Sequence, residues 1–136
     1  QAEVELFPAC VDQGIAIAPY SPLGGGLLTG KYAAGGSGRL VEDKAYASRY
    51  APEWMHKAAV GLQEIAADAG VHAATLAVAW AARHPAGPTP IISARSAEQL
   101  APSLAAMDYT LDDALYARLA ALAPTPAPAT DRLEEA

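Results

Sequence analysis

The run Gly14-Ile15-Ala16-Ile17-Ala18-Pro19-Tyr20 leads directly into Ser21-Pro22-Leu23-Gly24-Gly25-Gly26-Leu27-Leu28-Thr29-Gly30-Lys31-Tyr32. The first part alternates small and β-branched residues and predicts a strand over 15–19. The second part holds three glycines, a hydroxyl and a lysine. Such a loop lets backbone N–H groups approach an anion with no Cβ in the way. Tyr20, at the mouth, offers a flat ring face. Together these point to a phosphate-bearing ligand with an aromatic head. The alternatives are a tyrosine that packs in the core or at its rim, and a surface loop with a solvated lysine.

The surroundings of this run are those of an α/β repeat. Val4, Leu6, Phe7, Cys10 and Val11 recur at helical spacing and predict a helix over 3–13, stopped by Gly14. A helix that feeds a strand through one glycine is half of such a repeat. Downstream, 33–38 is rich in Ala, Gly and Ser and reads as a mobile loop, and 40–50 reads as irregular. Pro52 opens a helix over 53–69 that Gly70 ends. A second helix is predicted from Val71 to His84, broken by Pro85. Ile91-Ile92-Ser93-Ala94 is a short buried strand. Ser96 is a plausible N-cap for a helix over 96–106, with Pro102 awkwardly inside it. A last helix covers 111–122, and 124–136 reads as an extended Pro-rich tail. Two strands cannot make a stable sheet alone, and parallel ones are normally buried on both faces.

Composition narrows the function classes. The 136 residues suffice for one core-forming domain, and 52% hydrophobic content with 18% charge fits a globular chain. A net charge of −6 disfavours nucleic acid and anionic membranes. No run approaches the ~20 apolar residues of a membrane span, and Gln1–Glu5 lacks signal-peptide character; a cytoplasmic protein is expected. The chain opens on what reads as a helix already under way, which hints at a piece of something longer. The one cysteine, Cys10, reads as a buried apolar residue.

Other constellations carry less. Gly25 through Lys31 reads G-x-x-x-x-G-K, but Tyr32 stands where a P-loop needs Ser or Thr, and helix-breaking residues follow. His56, His72 and His84 have no metal-ligand spacing. Trp54 and Trp80 read as helix-packing residues, and Glu42-Asp43 as solvated loop charge. Asp112 and Asp113 suit a helix start. Arg95 lies between a strand and a helix N-terminus, where it either meets a phosphate monoester or is simply solvated. No Ser/His/Asp set, functional carboxylate pair or metal site is evident.

The 20–32 run, Gly38-Arg39-Leu40, and Pro90-Ile91-Ile92-Ser93-Ala94-Arg95-Ser96-Ala97-Glu98-Gln99-Leu100 resemble the C-terminal part of an aldo-keto reductase. Ala129-Thr130-Asp131-Arg132 is similar to the tail of bacterial members. The resemblance implies a partial (β/α)8 barrel of the α/β class. Residues 1–123 would hold the last two barrel strands, 15–19 and 90–93, with their helices. A phosphate site beside strands 7 and 8 is also what barrel physics expects.

The resemblance further implies an NADPH cofactor and a small-molecule carbonyl substrate, reduced by hydride transfer. Tyr20 would stack on the nicotinamide, while Ser21, Leu23 and Gly25 would hold the pyrophosphate. Lys31 and Arg39 would reach the phosphates from the loop. Ser93, Arg95 and Gln99 would surround the 2′-phosphate, with Arg95 setting a preference for NADPH over NADH. Pro102 and Ser103 stand where relatives carry acidic and Asn residues near the adenine. The family's general acid, a Tyr assisted by Lys, Asp and His, would precede this chain, so no catalytic residue is assigned and the chain alone is expected to be inactive. The alternative is an NADP(H)-binding sensor or interaction module without catalysis.

Overall fold

The computed structural model describes residues 2–125. In chain order the helices are α1 (Leu6–Asp12), α2 (Arg39–Glu42), α3 (Lys44–Arg49), α4 (Glu53–Ala69), α5 (Ala73–Ala82), α6 (Ala97–Leu104) and α7 (Asp113–Ala120). Short 3-10 segments occupy Gly24–Thr29 and Ala105–Met107.

The two expected strands correct the sequence reading. Among the described residues there is no regular strand, and these residues do not show the partial barrel. The segments instead meet at one isolated parallel bridge between Tyr20 and Ile91. Two backbone bonds flank it: Thr89 N–H donates to the Ile17 carbonyl and Ile91 N–H to the Pro19 carbonyl, both at 2.8 Å. The expectation of burial fails with them, for Ile15 and Ile91 are 58% and 57% exposed. A strand's hydrogen bonds are made to other segments, and each of these has only the other to pair with.

The helical expectations stand, with trimmed ends. Gly70 takes the left-handed conformation at φ +65 and ends α4. His72 is the N-cap of α5, its Nδ1 accepting from Ala74 N–H at 3.0 Å. Ser96 Oγ caps α6 by accepting from Gln99 N–H at 3.2 Å, and Asp112 caps α7 through Leu115 N–H at 2.7 Å. Pro102 does sit inside α6. Its ring removes one donor from the helix ladder, and its carbonyl accepts from Thr75 Oγ1 at 2.7 Å. The 40–50 stretch is not irregular: it forms α2 and α3. Asp43, read as solvated charge, caps α3 by accepting from Ala45 and Tyr46 N–H.

The core lies between α4, α5 and α7. Leu62, Ile65, Ala66, Ala73, Leu76, Ala77, Leu111 and Leu119 form one buried cluster, on which Leu23, Leu28, Trp80 and Tyr116 pack. Alanines on α5 let α4 and α6 approach closely, which is why a helix with few large side chains is buried from Ala73 to Ala79. The chain bends by 101° between α4 and α5. No single helix among the described residues is long and apolar enough to cross a membrane. Nothing in α1 is buried: Cys10, expected inside, is half-buried. Trp54, expected to pack, is 42% exposed. Of the Pro-rich tail, 126–136 lies outside the described residues, as does the 129–132 motif.

Candidate functional site

The glycine loop hangs from the core by its apolar residues. Leu23 and Leu28 pack on the core cluster, Leu27 is buried, and Gln63 of α4 donates to the Leu28 carbonyl at 3.0 Å. Between these anchors the backbone turns sharply. Ser21 has φ +58, the one non-glycine residue with positive φ among those described, and Gly24, Gly25 and Gly26 follow at +55, +64 and +95. Three successive glycines make that path accessible at little steric cost.

Part of the loop's donor supply is used internally. Gly24 N–H donates to the Ser21 carbonyl and Gly26 N–H to the Leu23 carbonyl, both at 2.9 Å. The loop is therefore a wound 3-10 turn rather than an open cradle. Thr29 Oγ1 closes it by donating to the Gly26 carbonyl at 2.7 Å.

The segment after the loop folds back over it. Tyr32 hydroxyl donates to the Gly25 carbonyl at 3.0 Å and accepts from Leu40 N–H at 3.3 Å. Lys31 Nζ lies 4.8 Å from the Tyr32 ring centroid. Arg39 donates to the Tyr46 hydroxyl at 3.3 Å and sits over its ring. Gly25 has no room for a side chain, because a Cβ there would come within 2.9 Å of Leu40 Cδ1 and 3.1 Å of Tyr46 Cδ1. Lys31, Arg39 and Gly25 are thus gathered in one neighbourhood.

The second candidate group lies beyond the bridge. Ser93, Arg95 and Gln99 are all exposed. Gln99 Oε1 accepts from Arg95 N–H at 3.4 Å, so these two are linked locally, in an arrangement close to a capping box that Ser96-x-x-Gln99 announces in the sequence. Tyr20 is 76% exposed, with an open ring face rather than a core position. Because the Tyr20–Ile91 bridge is parallel, both segments run the same way and both following loops leave from the same end. Ser21 onward and Ser93 onward therefore start side by side. The residues fit a phosphate-bearing dinucleotide in kind: exposed cations, small residues and an aromatic face. A groove lined by Val71, His72, Thr75, Glu98, Pro102 and Tyr109 contains none of the nine candidates.

The sequence reading missed Tyr32, Tyr46 and Arg49. The aromatic spacing across 32–50 was the available signal, but calling that stretch irregular hid which side chains α3 brings to the glycine loop.

The Aldo/keto reductase family model matches residues 1–124. The uncharacterized oxidoreductase YrpG of Bacillus subtilis is 30% identical over 92% of this chain and 37% of its own length. A probable voltage-gated potassium channel subunit beta of Oryza sativa is 34% identical over 79% of this chain and 34% of its own. Protein tas of Escherichia coli is 28% identical over 88% of this chain and 35% of its own. The chain spans about a third of the length of the curated relatives it matches. With the family model matched over residues 1–124, this chain belongs to the aldo/keto reductase family.

Proposed function

We propose that this chain is the cofactor-binding part of an NADPH-dependent aldo/keto reductase acting on aldehydes or ketones. The observation that carries the proposal is the parallel Tyr20–Ile91 bridge, which starts both candidate loops from one end. Tyr20 would face the nicotinamide. Ser21, Leu23 and Gly25 would hold the diphosphate, with Lys31 and Arg39 balancing its charge. Ser93, Arg95 and Gln99 would take the 2′-phosphate. When bound, the reduced nicotinamide supplies the hydride. A proton must also reach the carbonyl oxygen, from a general acid that would lie outside this chain. The chain by itself is therefore expected to bind without turning over.

The test is a titration with NADPH and with NADH, followed by quenching of Trp54 and Trp80 fluorescence. Saturable binding of NADPH is expected. Arg95→Gln should weaken NADPH by about tenfold, the loss of one charge-assisted contact, and leave NADH within about twofold. Absence of saturable quenching by either dinucleotide would overturn the proposal.

A second reading keeps the cofactor and drops the reaction: an NADP(H)-responsive sensor or interaction module. The Oryza sativa relative, named as a channel subunit, favours it. Aldehyde-dependent oxidation of NADPH by the protein with its upstream sequence separates the two, since a sensor would bind the cofactor and consume almost none.

A further inference from the structure

The cations of this chain are unevenly partnered. Lys57 pairs with Glu53 at 2.8 Å, Arg83 with Asp113, and Arg118 with Asp68 at 3.5 Å. Among the described residues, Lys31, Arg39, Lys44, Arg49 and Arg95 pair with no carboxylate. Four of those five lie within 31–49, in a chain of net charge −6. Two carboxylates lie in the same stretch: Asp43 is engaged as the cap of α3, and Glu42 is exposed and makes no ion pair among the described residues.

Two of these cations converge on one ring. The guanidinium carbons of Arg39 and Arg49 lie 5.4 and 5.5 Å from the Tyr46 ring centroid. Arg39 also donates to the Tyr46 hydroxyl. The ring is held in turn: its edge abuts Gly25, and Tyr50 stacks on it at 6.3 Å between centroids. Cation–π attraction holds each guanidinium beside the ring. Each guanidinium also presents a planar fork that matches phosphate oxygens.

We propose that Arg49 is a further phosphate-binding residue, and that Arg39 and Arg49, mounted on Tyr46, clamp one phosphate group of the ligand taken by the glycine loop. This rests on the reading of that loop as a diphosphate site, since Tyr46 is seated directly against Gly25. The clamp recognises a phosphate oxyanion, which a dinucleotide or free pyrophosphate can supply.

The test is calorimetric titration of the full chain with NADPH and, separately, with inorganic pyrophosphate, each at low and at moderate salt. Arg49→Gln should weaken both ligands by about tenfold and flatten the salt dependence. Arg49→Lys should recover only part of the loss, because it restores the charge and not the fork. Arg118→Gln, a cation outside the site, should change neither. Arg49 is exposed, so the thermal midpoint of Arg49→Gln should stay within about 2 °C of the parent. Equal NADPH affinity in the parent and Arg49→Gln at low salt overturns the clamp and leaves the dinucleotide proposal standing. Arg49-dependent binding of pyrophosphate with no binding of NADPH supports the clamp and overturns the dinucleotide proposal. Failure of the parent to bind either ligand overturns both.

Discussion

Gly25 is where backbone conformation and close packing can be told apart. Its φ is +64, and a Cβ would collide with Leu40 and Tyr46. Gly35 has a similar φ of +77, but nothing lies within 4 Å of where its Cβ would be. Both alanine variants lose about 1–2 kcal/mol from the left-handed backbone alone. Gly25→Ala must also push Tyr46 away, and Arg39 and Arg49 with it. Gly25→Ala should therefore lower the thermal midpoint more than Gly35→Ala and weaken NADPH by at least about tenfold, whereas Gly35→Ala should leave the affinity within about twofold. Equal effects of the two on affinity would mean that Tyr46 does not matter there. The glycine triplet was plain in the sequence. That Leu40 and Tyr46 fill the space above its middle member was not, because both come from α2 and α3, a stretch without strong periodicity. Ser21 teaches the same lesson. Its positive φ carries no compositional signal, since serine is an ordinary residue in most loops.

Helices were the legible elements. Gly14, Pro52, Gly70 and Ser96 act within a turn of themselves, so their effects depend on few distant contacts. What the pattern could not show is how α5 and α7 pair. Trp80 and Tyr116 stack with centroids 6.0 Å apart, Arg83 lies 5.0 Å above the Tyr116 ring, and the Trp80 Nε1 donor is buried without a partner among the described residues. Burial pushes the Tyr116 hydroxyl above its ordinary value of 10.0, Glu3 adds to the rise, and Arg83 works against it. The folded chain therefore holds that proton more tightly than the unfolded chain does. The stabilising contribution is complete below pH 10 and is lost as pH climbs through the raised value. Urea midpoints taken between about pH 9 and pH 11 should fall more steeply for the parent than for Tyr116→Phe. Parallel curves would show that the hydroxyl's surroundings contribute nothing.

For the molecule as a whole, the contrast is between a covered helical core and two uncovered segments joined at a single bridge. Leu76 is fully enclosed, while Ile15 and Ile91 are more than half exposed. Exposed apolar side chains on extended segments with unpaired backbone groups invite association with other chains. Replacing both isoleucines with lysine should lower light scattering of the isolated chain on concentration. It should leave the thermal midpoint within about 2 °C, because neither residue contributes to the core. A large loss of stability would place them in the core after all. The order of helices, their caps and breakers, and the residue types around the glycine loop all follow from interactions a few residues apart, and the linear chain specifies these directly. The pairing of Tyr20 with Ile91, the seating of Tyr46 on Gly25 and the gathering of Arg39 with Arg49 needed the three-dimensional arrangement. Each joins segments distant along the chain or depends on which face a short helix turns inward, and packing decides that where local preference is silent. The two expected strands belong to this second group, for a β-segment becomes regular only when a neighbouring segment meets its backbone groups one after another along its length.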